Sequence, residues 1–158
     1  MSKPLLTLLA SACAMAIPTM AHSRPVSLTV QLKNYGGDGA YLAAYLTDAK
    51  GAYVRTLWVA GGKAKYHKHL SEWSRISSGD AKRLDGITGA SVGAGRTLKV
   101  SADLANAMID AGFEIRIDAA AEDMRDSPME VRVPLSTANI GKPQAGKQYI
   151  QSVAFQLP

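Results

Sequence analysis

Cysteine is almost missing from this chain: 158 residues contain one, Cys13, and it lies in an apolar amino-terminal run. A chain cut after Ala21 would keep none. That excludes disulfides, a thiol nucleophile and a thiolate metal site, even in a compartment where disulfides persist. Stability must then come from packing alone. Long hydrophobic runs are also lacking, since nothing after residue 21 approaches the ~20 apolar residues that span a bilayer. The sequence has no Gly-Lys-Ser/Thr ending of a phosphate loop, and its glycines do not follow dinucleotide-binding spacing. The one local carboxylate cluster, Glu122-Asp123 with Asp126, reads as a solvated turn before Pro128 rather than as an acid–base pair. Internal repeats and low-complexity linkers are absent as well, which leaves one domain over 22–158.

The first 21 residues have the layout of a secretory signal. Lys3 is the positive start, Leu5 to Ile17 the short apolar run, and Thr19-Met20-Ala21 the small-residue exit. The remainder is expected to be periplasmic. It carries 17 basic against 13 acidic residues, a net of +4 once Lys3 is removed. The basic residues are scattered, and neither this mild charge nor the compartment points to nucleic acid.

The body of the chain reads as short strands divided by turn signals. Val26, Leu28, Val30 and Leu32 alternate with polar residues, the period of a strand with one buried face. Asn34-Tyr35-Gly36-Gly37-Asp38-Gly39 ends that run. Tyr41–Leu46 and Tyr53–Val59, joined through Thr47-Asp48-Ala49-Lys50-Gly51, predict a β-hairpin. Over Lys65–Ile76 the spacing of Tyr66, Leu70 and Trp73 predicts a short helix that ends before Ser77-Ser78-Gly79-Asp80. Further strands are expected at Arg96–Val100, Phe113–Ala119, Met129–Leu135 and Tyr149–Leu157. Residues 101–112 are ambiguous: Ser101 is a possible helix cap, with Leu104/Met108 and Ala105/Ile109 at helical spacing, and a turn-rich connection is the alternative. Seven strands of this kind predict an all-β, immunoglobulin-like β-sandwich with one short helix.

One segment carries chemistry. Asp85-Gly86-Ile87-Thr88-Gly89-Ala90-Ser91 has the form of a covalent flavin-attachment sequence: Asp, two residues, a hydroxyl residue, Gly-Ala, and a final hydroxyl as acceptor. An acceptor hydroxyl must reach a pyrophosphate phosphorus inside another enzyme, so small flanking residues such as Gly89 and Ala90 suit the task. Together with Tyr53–Trp73 and Asp110–Ala120, this segment resembles a bacterial family of predicted periplasmic proteins, domain of unknown function 2271. The resemblance covers most of the chain after the signal and implies a small immunoglobulin-like β-domain. It also implies FMN attached covalently through a phosphoester to Ser91. Thr88, Asp85, Gly89 and Ala90 would form the element read by a periplasmic flavin transferase, and a membrane-bound reductase would be the electron-transfer partner. Two positions depart from the family pattern: Ser91 stands where Thr is commoner, and Ser101-Ala102-Asp103 where a Trp-Asp-Gly turn is usual.

On this reading the protein is an electron carrier rather than an enzyme with its own substrate. Trp58, Tyr66 and Trp73 are candidates to flank the flavin, and Arg96 and Lys99 to pair with its phosphate, though each also suits an ordinary core or surface position. The competing class is a non-redox binding or scaffold module in which Asp85–Ser91 is a structural turn. A third reading is a copper-binding sandwich. Cleavage after Ala21 would make His22 the amino terminus, whose amine and ring suit copper alongside His67 or His69. The His67-x-His69 spacing, however, puts two rings on different faces of a helix.

Overall fold

A computed structural model describes residues 22–78 and 84–158, so the expected signal segment 1–21 and residues 79–83, with part of the expected helix end Ser77-Ser78-Gly79-Asp80, lie outside the described residues. Among the described residues eight strands form two sheets. They are β1 (Ser23–Leu32), β2 (Tyr41–Thr47), β3 (Tyr53–Ala60), β4 (Thr88–Gly89), β5 (Thr97–Ala105), β6 (Glu114–Ala120), β7 (Ser127–Pro134) and β8 (Ile150–Gln156). The smaller sheet has the order β5-β1-β8 and the larger β4-β3-β2-β6-β7. All pairings are antiparallel except β3 with β4. The expected all-β sandwich with one short helix is what forms.

The alternation in β1 does what its period dictates: Val26, Leu28, Val30 and Leu32 are buried between the sheets. They meet Val153 and Phe155 of β8, and Leu42, Leu46, Ile115, Ile117, Val131 and Val133 of the larger sheet, in one apolar core. The hairpin of β2 and β3 forms with Leu42 opposite Ala60 and Thr47 opposite Tyr53.

β2 is different in kind. Its sequence YLAAYLT is almost continuously apolar, and six of its seven residues are buried. Such a strand must be covered on both faces. Its second face carries Ala43 and Tyr45, which pack with Val59, Ala120, Leu70 and Trp73 in a separate cluster. Leu70 and Trp73 come from the predicted helical segment, which is a 3-10 turn over Ala64–His69 followed by helix α1 (Ser71–Ser77). The molecule is thus layered as small sheet, large sheet and helical cover.

Residues 101–112 resolve the ambiguity against a helix. β5 continues through Ser101-Ala102-Asp103 to Ala105, and only Asn106–Met108 makes a short 3-10 turn. Leu98, Val100, Ala102 and Leu104 alternate toward the core, so the period-2 pattern runs on past Val100, and Leu104 is buried by it. The departure from a Trp-Asp-Gly turn is therefore a departure toward strand.

Candidate functional site

The attachment-like segment is pinned at both of its ends. Thr88 and Gly89 lie parallel to Val59 and Ala60 at the sheet edge, with Val59 N–H donating to Ile87 O (2.8 Å) and Gly61 N–H to Gly89 O (2.8 Å). Three residues after Gly89, Ala40 and Val92 exchange both backbone hydrogen bonds, at 2.7 and 2.9 Å. Ser91 sits between these two anchors.

Burial separates the roles of the seven residues. Asp85, Thr88, Ala90 and Ser91 are exposed, whereas Gly89 is half-buried and Val92 buried. Gly89 lies against the indole of Trp58, and a Cβ there would come within 2.8 Å of Trp58 Cζ2. Gly39 plays the same part for Ser91, because a Cβ on it would stand 2.8 Å from Ser91 Oγ. Small residues thus occur where the backbone meets Trp58 and where Ser91 Oγ needs clearance, and Asp85, Thr88 and Ser91 are left exposed.

Ser91 lies on the wall of a groove of about 570 Å³, within the ~300–1,000 Å³ range of small-molecule sites. Tyr41 of β2 and Tyr66 of the 3-10 turn line it, their rings edge to face at 5.6 Å. Ala120, Ala121 and Met124, at the end of β6 and in the loop beyond, add apolar surface. The polar lining combines Lys63 and the His69 imidazole from the helical cover with Asp38, and with Glu122 and Asp123 from the loop after β6. Gly61 joins this groove to the motif. Its N–H reaches Gly89, its carbonyl accepts from His67 Nε2 (2.8 Å), and its φ of +118° leaves the space a side chain would take to the Tyr41 ring.

Of the aromatic candidates, Tyr66 alone lines the groove; Trp58 sits beneath Gly89, and Trp73 is fully buried under α1. Arg96 and Lys99 are not part of the groove lining. Arg96 packs against Gly93 and accepts Leu32 N–H with its carbonyl, and Lys99 lies opposite Thr29 in the small sheet. Lys63 is the cation the groove does hold. The histidines are dispersed in their contacts: His67 donates to Gly61, His69 Nδ1 lies 3.1 Å from Asp126, and His22 precedes β1. Among the described residues no group of three or more His, Cys, Asp or Glu side chains is placed to hold a metal ion.

The floor of the helical cover is polar, and one carboxylate organises it. Asp118 of β6 is fully buried. It accepts from Trp73 N–H (2.8 Å), Met129 N–H (2.8 Å) and the Tyr45 hydroxyl (3.1 Å). Leu70 provides no side-chain cap for α1, so this carboxylate from the sheet satisfies a first-turn N–H instead. Burial pushes the Asp118 carboxyl above the ordinary range, against the opposing pull of these hydrogen bonds. Burial, with Asp118 beside it, also pushes the Tyr45 phenol up. On β7 the buried Glu130 takes the N–H groups of Gln148, Tyr149 and Ile150 at 2.7–2.9 Å and the hydroxyl of Ser127, tying down the entry to β8.

Comparison with known families decides the larger grouping: residues 23–152 match the model of a family described as predicted periplasmic protein (DUF2271). The chain belongs to that family. Its description agrees with the export expected from residues 1–21, and the protein is a periplasmic one. No curated protein and no solved structure matches it. No helix among the described residues is long and apolar enough to cross a membrane.

Sequence reasoning missed Tyr41, Lys63, His69 and the 120–124 loop as neighbours of Ser91. Lys63 and His69 flank Tyr66 closely in the chain and were within reach of a local reading. Tyr41 and the 120–124 loop come together only through the pairing of β2 with β6.

Proposed function

We propose that this periplasmic protein carries FMN as a phosphoester on Ser91 and serves as an electron carrier. The observation that carries the reading is the exposure of Asp85, Thr88, Ala90 and Ser91 on a segment anchored at both ends, with Ser91 Oγ over the open Cα of Gly39. A plain structural turn accounts for Gly89 through its contact with Trp58. It gives no reason for the order of the residues, a hydroxyl, Gly-Ala and a second hydroxyl, on that exposed segment.

Attachment is a substitution at phosphorus. Ser91 Oγ forms a bond to the FMN phosphorus of FAD, the pyrophosphate bond to AMP breaks, AMP leaves, and the hydroxyl proton passes to a base of the flavin transferase. Asp85 and Thr88 are the side chains that transferase reads. A phosphoester on Ser91 keeps a flavin from diffusing away outside the cell, and the isoalloxazine ring, once bound, supplies reversible electron transfer. A membrane-bound reductase is the partner this role requires.

The test is co-expression with an active flavin transferase, followed by denaturing gel electrophoresis. Yellow-green fluorescence should migrate with the wild-type band and be absent from Ser91→Ala, with Ser91→Thr retaining it. A non-fluorescent wild-type band beside a fluorescent control substrate of the same transferase would contradict the proposal.

A further inference from the structure

We infer that the groove beside Ser91 is the seat of the isoalloxazine ring, a site for a planar tricyclic ligand distinct from the attachment point itself. This inference rests on attachment at Ser91. The attachment motif demands only an exposed hydroxyl, and nothing in that chemistry requires a cavity next to it. Yet Ser91 is part of the wall of a space of about 570 Å³. A second cavity, between the sheets, offers about 10 Å³ and cannot take a ring.

The lining suits a flavin ring rather than a peptide carboxylate. Tyr66 and Tyr41 give an aromatic wall, and Tyr66 is held in place by the edge of Tyr41 and by Lys65 Nζ 4.8 Å from its centroid. Ala121 and Met124 add flat apolar surface. Aromatic and apolar walls with a few polar groups are what bind a planar heterocycle. The seat does not need high affinity. A short tether holds its ligand at an effective concentration of about a millimolar, so a site with a dissociation constant of that order is about half filled.

Seating has an electrical consequence. Asp38, Glu122 and Asp123 outnumber Lys63 and Lys65 around the groove, so a ring within it gains negative charge against a net negative surround. Its midpoint potential is therefore lowered relative to a ring in solvent.

Protein loaded with FMN, as verified by intact mass, provides the test. Native flavin emission and iodide quenching should both be several-fold below those of the same sample in denaturant. Tyr66→Leu should return both toward the denatured values, and Tyr66→Trp should keep them low. The double variant Glu122→Gln/Asp123→Asn should shift the midpoint potential upward. Native emission and iodide quenching equal to the denatured sample, in protein that mass shows to be loaded, would overturn the seat and leave attachment standing. The converse failure is read on Ser91→Ala protein titrated with millimolar free FMN. Saturable amide shifts at Gly39 and Ala121 that vanish in Tyr66→Leu support the seat even if mass finds no covalent flavin, and no shifts at either position overturn it.

Discussion

The two faces of the five-stranded sheet are both covered, but they are built from different chemistry. Toward the small sheet lie Leu42, Leu46, Ile115, Ile117 and Val133, all within 1% of full burial, with Val153 and Phe155 opposite them. Toward the helical cover lie Tyr45, Trp73 and the carboxylate of Asp118, hydrogen-bonded to one another and to backbone. β6 shows the contrast in one strand. Ile115, Ile117 and Ala119 face inward, while Glu114, Arg116, Asp118 and Ala120 make a row on the other side. That row begins at the Glu114 ion pairs with Arg116 and Arg132 and ends at the groove. The inner face supplies bulk cohesion. The outer face holds the helical cover in register, and the groove opens at its end, so the functional reading belongs to the face with directional bonds.

Breaking the inner face should cost most. Phe155→Ala removes a fully buried ring and is expected to lower unfolding free energy by about 3–5 kcal/mol, measured by urea denaturation. On the outer face, Asp118→Ala strands the Trp73 and Met129 N–H groups and should cost about 2–3 kcal/mol. Its loss should fall first on α1, so hydrogen exchange at Trp73 should accelerate before exchange in β1.

The same carboxylate separates the faces by pH. Burial raises its pKa in the folded state, so the folded protein holds the proton more tightly than the unfolded chain. The stability this gives is fully present below the unfolded value of about 3.9 and is lost as pH rises through the folded value. Wild type should therefore gain stability relative to Asp118→Asn as the pH falls from about 7 to the unfolded value of about 3.9. An unchanged difference across that range would show that the carboxyl is not perturbed.

At the groove end the effects on stability become small while those on loading become large. Gly39→Ala puts a Cβ within 2.8 Å of Ser91 Oγ. It should cost about 1 kcal/mol or less and reduce flavin incorporation several-fold. Ser91→Ala, at an exposed position, should stay within about 0.5 kcal/mol of wild type and incorporate no flavin.

How much was readable in advance follows the same division. The inner face was legible because alternation is local: Val26 to Leu32 and Phe113 to Ala119 show it in a single strand. β5 was read two turns of pleat too short, since Leu104 also stands four residues from Met108 and helical spacing competed with an alternation that had already run through Leu98, Val100 and Ala102. The helix was legible from Leu70 and Trp73, but not that Asp118, 45 residues away, would cap it. Among the site residues, the exposed motif could be read directly. The groove could not, because Tyr41, Ser91 and Ala121 are neighbours only after β2 has paired with β6 and Val92 with Ala40.

The most direct test of the account is the intact mass of the protein purified from its own periplasm. The expected value exceeds the unmodified mature chain by one FMN less one water, with the addition mapping to the peptide containing Ser91 and missing from Ser91→Ala. An unmodified mass, from cells whose flavin transferase is active on other substrates, would contradict it.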